Sequence, residues 1–155
     1  MPDLKSTIAV GLTTRYKKLA GMVHELAAPM SEEQFSTKPF RFGNSFVHLV
    51  LHLTGNLNYY IGAQIADTGY VRNRPLEFSD TTRAPKAEVL KKFDLAIETV
   101  LNAINNQSAD DWSKEYTGTG SDASDRFDMV LQCATHLHHH IGQMMYLAFE
   151  FKGKG

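Results

Sequence analysis

The 155-residue chain has one cysteine, Cys133, which excludes an internal disulfide framework and any metal site built from several thiolates, and which fits a reducing compartment. It also lacks a surplus of either charge. Sixteen Lys and Arg stand against seventeen Asp and Glu, a formal net charge of -1 at pH 7, without the basic excess on which binding to a phosphate backbone depends. Nucleic acid is therefore not an expected partner. No window approaches the ~18 consecutive apolar residues of a membrane-spanning helix, and the apolar stretch near the N-terminus is too short and too polar for a secretory leader. A soluble, cytoplasmic protein with no membrane partner is expected. Also missing are a Gly-rich phosphate loop, a nucleophile elbow and a His-Glu-x-x-His motif, so conventional metalloprotease chemistry has no support. There are no internal repeats, and no run of period-two alternation long enough for a strand.

What is present suits one globular domain over residues 1–155: 43% hydrophobic and 21% charged residues in a chain long enough to bury about 68–70% of its unfolded surface. Four stretches carry helical apolar spacing. The first, residues 3–28, lines up Leu4, Ile8, Leu12, Leu19, Val23 and Leu26 and is ended by Pro29 and the Ser31-Glu32-Glu33 cluster. The second opens after Gly43 with Asn44 or Ser45 as its cap, runs through Phe46, Leu49, Leu53, Leu57, Ile61 and Ile65, and stops near Gly69. Residues 70–84 have no sustained period; connectors of that length are often crossovers or functional loops. The third helix opens at Pro85, whose missing N–H suits a first turn, and ends at Asn105-Asn106. Residues 108–112 read as a short helical turn or loop and residues 116–122 as loop, before a fourth helix over residues 124–151 that frays at Gly153 and Gly155. The expectation is an all-α four-helix bundle with long connections between its second and third and its third and fourth helices.

Seven histidines are the unusual count, and six fall in two places: His48 and His52 on the second helix, His136, His138, His139 and His140 on the fourth. Side chains four residues apart on a helix lie about 40° apart and about 6 Å along the axis. Both His48/His52 and His136/His140 are such pairs. On the fourth helix, Cys133, Leu137, Ile141, Met144, Leu147 and Ala148 define an apolar face that takes in His136 and His140, whereas His138 and His139 fall about 130° to either side of its centre. The first two should face the bundle and the last two solvent or a subunit contact. Two inward imidazoles one turn apart can share a zinc-sized ion at about 2.0–2.1 Å, with a third ligand from the polar seam His48, His52, Asn56 and Tyr59 of the second helix. His52 is the choice for it, and His48 the competitor. The alternative is a pair of satisfied core histidines, although burying imidazoles without partners costs about 1–3 kcal/mol each.

Weaker signals surround these. Asn56 and Gln143 either fix histidine tautomers from behind or are simply solvated. Cys133, one turn before His136, is either a redox-sensitive or additional ligand or a buried free thiol. Tyr59, Tyr60 and Trp112 line a pocket or fill the core. Gly55 and Gly62, each costing about 1 kcal/mol of helix propensity relative to alanine, point to close backbone approach.

The string His136-Leu137-His138-His139-His140-Ile141-Gly142-Gln143 resembles the His-x-x-x-His-x-Gly-Gln signature of the DinB-like superfamily (DinB/YfiT-like bacterial four-helix-bundle metalloproteins). Leu51-His52-Leu53-Thr54-Gly55-Asn56-Leu57 is similar to that superfamily's first histidine motif, in the version followed by Gly-Asn. The order and separation of the two motifs extend the resemblance over nearly the whole chain. It implies a bundle with two long crossovers and a divalent metal, zinc or nickel, held by His52, His136 and His140 with water positions left open. It also implies thiol-dependent transferase or isomerase chemistry on a small-molecule substrate with a low-molecular-weight thiol such as bacillithiol or mycothiol, and a homodimer. The extra His48, His138 and His139 depart from the minimal pattern.

Three neutral imidazoles would leave such an ion its full charge and an exchangeable position, able to ionise water for hydrolysis or a thiol for transfer. Neither motif contains a clear carboxylate base, which weakens the hydrolase reading and is compatible with thiol transfer. The competing reading is a metal-stabilised binding or stress-response bundle without turnover.

Overall fold

A computed structural model describes residues 3–79 and 84–153. The part of the expected 70–84 connector at residues 80–83, and Gly155 of the fraying end, lie outside the described residues. Among the described residues the secondary structure is helical throughout, with no strand and only an isolated antiparallel bridge between Glu115 and Asp125.

Each long helix begins where a side chain accepts a free amide of the first turn or where proline removes one. Helix α1, Leu4–Ala27, is capped by Asp3, which accepts from Ser6 N. The Pro29 and Ser31-Glu32-Glu33 segment does end it, but it also starts a helix of its own: α2, Glu32–Ser36, is fixed by the Ser31/Gln34 capping box. Of the two candidate caps for the next helix, Ser45 accepts from His48 N and α3 runs Phe46–Leu57. It then widens into a π-helical stretch, Asn58–Ala63, and so ends six residues before Gly69, whose φ of +73° turns the chain away. The connector expected to be irregular contains α4, Arg74–Ser79. Pro85 stands one place before α5, Lys86–Asn106, as its cap residue and not as its first helical residue. The short α6, Ala109–Trp112, takes a Ser108/Asp111 capping box, and α7, Arg126–Lys152, starts two residues later than expected because Asp125 caps it through Asp128 N.

The four long segments close a ring in which α1 packs on α7 and α5, and α3 packs on α5 and α7. The helices bearing the two histidine groups are therefore direct neighbours although more than 80 residues separate them. Their shared core is apolar and dense: Leu19 and Val23 from α1, Leu49, Leu53 and Leu57 from α3, Phe93 and Val100 from α5, and Leu137, Ile141 and Met144 from α7 are all buried. Each such side chain contributes about 1.5–3 kcal/mol by leaving water. Tyr16 crosses that core and donates to the Val130 carbonyl at 2.7 Å, which fixes α1 against α7. The helix α4 packs on α3 and closes one end of the histidine-bearing face. No helix of the described residues is long and apolar enough to cross a membrane.

Candidate metal centre

The register of α7 follows from its apolar residues: Leu137 and Ile141 are buried completely and act as anchors. That places His136 and His140 beside them, one turn apart and half-buried, turned towards His52 of α3. His138 and His139 are exposed. On α3, burial of Leu49 and Leu53 turns His52 to the same side, where it is only 5% exposed.

The structure brings three imidazoles together. Nε2 of His136 lies 3.2 Å from Nε2 of His52 and 3.0 Å from Nε2 of His140, and the three ligand atoms lie within 4.8 Å of one another. His48, one turn before His52, is half-buried and is not part of this group.

The outer nitrogens decide which protons the inner ones carry. His52 Nδ1 lies 2.8 Å from Glu77 Oε2, and Arg72 donates to the same carboxylate twice, from Nε to Oε1 at 2.7 Å and from Nη2 to Oε2 at 2.9 Å. Burial alone would raise the Glu77 pKa, but the hydrogen bonds from His52 and Arg72 and the guanidinium charge outweigh it and lower the value, so Glu77 is a carboxylate. It can only accept. His52 Nδ1 must then carry the proton and donate, which strips Nε2 bare. Arg72 Nη2 also lies 3.4 Å from His52 Nδ1; both atoms are donors, so this is crowding in a shared cradle and not a bond. His140 Nδ1 likewise donates to Gln143 Oε1 at 2.7 Å, leaving its Nε2 bare. His136 Nδ1 is buried without a hydrogen-bond partner.

Two bare nitrogens thus face the Nε2 of His136, with at most one proton among the three. Adding protons is unfavourable: desolvation first, and then the charges of His140, His52, His139 and Arg72, push His136 down to about 4, and burial followed by the charges of His52 and His139 lowers His140 against the raising effect of Gln143. With the His136 proton on Nδ1, a divalent cation would satisfy three Nε2 lone pairs at once. With bonds of about 2.0–2.1 Å, the two close separations correspond to angles between about 90° and 110°, the octahedral-to-tetrahedral range. The donor set of neutral imidazoles and the carboxylate behind one of them fit such an ion.

Residues 15–144 match the family model of the DinB superfamily. The chain belongs to the DinB superfamily. No curated protein matches it. The residues of this DinB-superfamily chain that carry the histidine resemblance, His52, His136 and His140, are the three that the fold assembles.

A pocket of about 540 Å³ opens beside the triad, with His52 and His136 on its inner wall and Asn56, Tyr60, Arg74, Asp122 and Gln132 among its other lining residues. Gln143 takes up the tautomer-fixing role considered for it, whereas the Asn56 carboxamide oxygen is buried with no hydrogen-bond partner. Cys133 also borders the pocket, but it is buried, and burial pushes its thiol up to about 12 against a small lowering by Arg72. It is a protonated core thiol at neutral pH. Tyr60 lines the pocket, and its hydroxyl donates to the Gly120 carbonyl at 2.8 Å; Trp112 is core, packed edge-on against Phe127.

Sequence reasoning missed Glu77 and Arg72. Neither belongs to a periodic stretch, and they meet His52 only because α4 folds back on α3. A carboxylate and an arginine five residues apart in a connector carry no signal of their own.

Proposed function

We propose that this chain is a divalent-metal protein in which His52, His136 and His140 hold one zinc or nickel ion, and that it acts as a metal-dependent enzyme on a small molecule. The convergence of the three Nε2 atoms, with Nδ1 of His52 and His140 held outward by Glu77 and Gln143, is the observation that carries the reading. Bound there, the ion would supply a Lewis acid able to ionise a thiol or water at its open side.

The protein's own groups leave thiol transfer and hydrolysis both open. Glu77 has both oxygens occupied by Arg72 and His52 and cannot serve as a free general base, whereas Asp122 lines the pocket beside the triad and is a carboxylate placed to serve as one. Cys133 stays protonated and does not compete as a nucleophile. The pocket beside His52 and His136 is large enough for a low-molecular-weight thiol or its electrophilic partner, and Asn56, Arg74 and Gln132 offer polar contacts to it.

The test is steady turnover of a panel of thiol–electrophile pairs and simple esters by protein loaded with zinc or nickel. The reading expects transfer from thiol to electrophile, or ester hydrolysis, that a chelator abolishes and added metal restores. Stoichiometric metal with no turnover on the whole panel would instead support a metal-stabilised binding protein, and chelator-resistant turnover would contradict the role of the triad.

A further inference from the structure

Gly55 lies on α3 between His52 and Asn56, and the space its side chain would fill is taken. A Cβ built at this position falls inside the van der Waals envelope of Glu77 Oε1, 2.9 Å from Glu77 Cδ and 3.5 Å from Arg72 Nε. The three nearest atoms all belong to that carboxylate–guanidinium pair. A flexible carboxylate usually gives way cheaply, but this one does not: it is 7% exposed, receives two hydrogen bonds from Arg72, and accepts a third from His52 Nδ1. Any residue larger than glycine at 55 must therefore break this cradle or shift α4 off α3.

We infer that Gly55 is a positioning residue of the metal centre: by leaving a slot in α3 it lets Glu77 reach across the helix to His52 Nδ1, and so fixes the tautomer that presents Nε2 to the ion. The inference rests on the metal reading above and deepens it. Glycine in a helix interior is unfavourable relative to alanine, and the helix around it is continuous, with no turn or positive φ at this position that calls for glycine. The contact with Glu77 is what position 55 provides. Groups standing behind a metal-ligating histidine set its orientation and basicity, and their loss typically weakens metal binding 10- to 100-fold. Gly55 acts one step further back, through Glu77.

The test is a double-mutant cycle of Gly55→Ala, Glu77→Ala and the combined variant in the full chain, read by zinc affinity in competition titration and by the His52 ring-nitrogen shifts of the metal-free protein in NMR. The expected outcome is a loss of about 10- to 100-fold in zinc affinity for Gly55→Ala, a similar loss for Glu77→Ala, and no further loss in the combined variant, because the carboxylate that the added methyl group strikes is gone. In parallel, His52 should be protonated at Nδ1 in the wild type and lose that preference in both single variants. Unchanged affinity and tautomer in Gly55→Ala, or losses that multiply in the combined variant, would overturn the inference. Should Gly55→Ala alone not fold, the combined variant should regain the fold that Glu77→Ala keeps, and failure to do so also overturns it. A wild type that binds no zinc overturns the metal reading instead, while the tautomer comparison still decides the role of Gly55.

Discussion

His48 and His52 on α3 have the same four-residue spacing as His136 and His140 on α7, yet one pair gives a single member of the cluster and the other gives both. On α7 the pair flanks buried Leu137, and both rings turn to the same open side. On α3 the two histidines differ in what stands behind them. His52 has Glu77 from α4 and Arg72 from the connector just before it, while His48 lies in the first turn, where its amide donates to the Ser45 cap. Spacing decides which side chains share a face; the register of each helix against its neighbours decides which of those rings converge.

The sharpest way to break this comparison is to remove one imidazole at a time. Alanine at His52, His136 or His140 should abolish zinc or nickel binding, a loss well beyond 100-fold and larger than any change behind the ligands produces. Alanine at His48, His138 or His139 should leave occupancy near that of the wild type. Atomic absorption on each purified variant reads the result, and an empty site in His48→Ala with a filled one in His52→Ala would reverse the assignment on α3.

Joining α3 to α7 through an ion should also stabilise the fold, because the three ligands are not preassembled in the unfolded chain. Saturation a thousandfold above Kd contributes about 4 kcal/mol, or a rise in melting temperature of about 8–16 °C for a chain of this size. Chelation at pH 7.5 should remove that increment from the wild type and change nothing in His136→Ala. An equal effect of chelator on both proteins would separate the stabilisation from the triad.

Acidity should distinguish the two pairs less strongly. In the metal-free protein the folded-state pKa of His136, about 4, lies below its ordinary 6.5, so the unfolded chain binds more protons between these values and stability must fall as pH drops from about 6.5 to about 4. Urea midpoints across that range should decline for the metal-free wild type and decline less steeply for His136→Gln. Metal affinity should fall over the same interval as imidazoles are protonated. A slope unchanged in His136→Gln would place the titrating group elsewhere.

The smallest effect is expected at Gln143, which is exposed and holds His140 Nδ1 through one hydrogen bond. Gln143→Ala should weaken metal binding by a few-fold, at or below the lower end of the range for groups behind a ligand. Competition titration resolves this, and a loss as large as that of His140→Ala would mean that Gln143 contacts the ion itself.

These contrasts also show how much is legible in the residues alone. The long helices and the inward faces of His136 and His140 can be read because apolar residues such as Leu137, Ile141, Leu49 and Leu53 repeat with the helical period. His52 can be preferred over His48 from its motif. The helix α2 is readable in principle from Ser31 and Gln34, since the segment that stops α1 is also a capping box. The helix α4 is not, since six residues with Pro75 near the start show no period. Nor is the widening at Asn58–Ala63, where the apolar residues Leu57, Ile61 and Ile65 keep an ordinary helical spacing and give no sign of it. Glu77 and Arg72 are invisible for the same reason: their role exists only once the connector between α3 and α5 lies against α3.

The most direct measurement is metal content and affinity of protein prepared without a purification tag at pH 7.5. About one zinc or nickel ion per chain is expected, taken up again after chelation with a single class of sites and lost in His136→Ala. Folded wild-type protein that takes up neither ion above background, or that binds equally with His136 and His140 both replaced by alanine, would contradict this expectation.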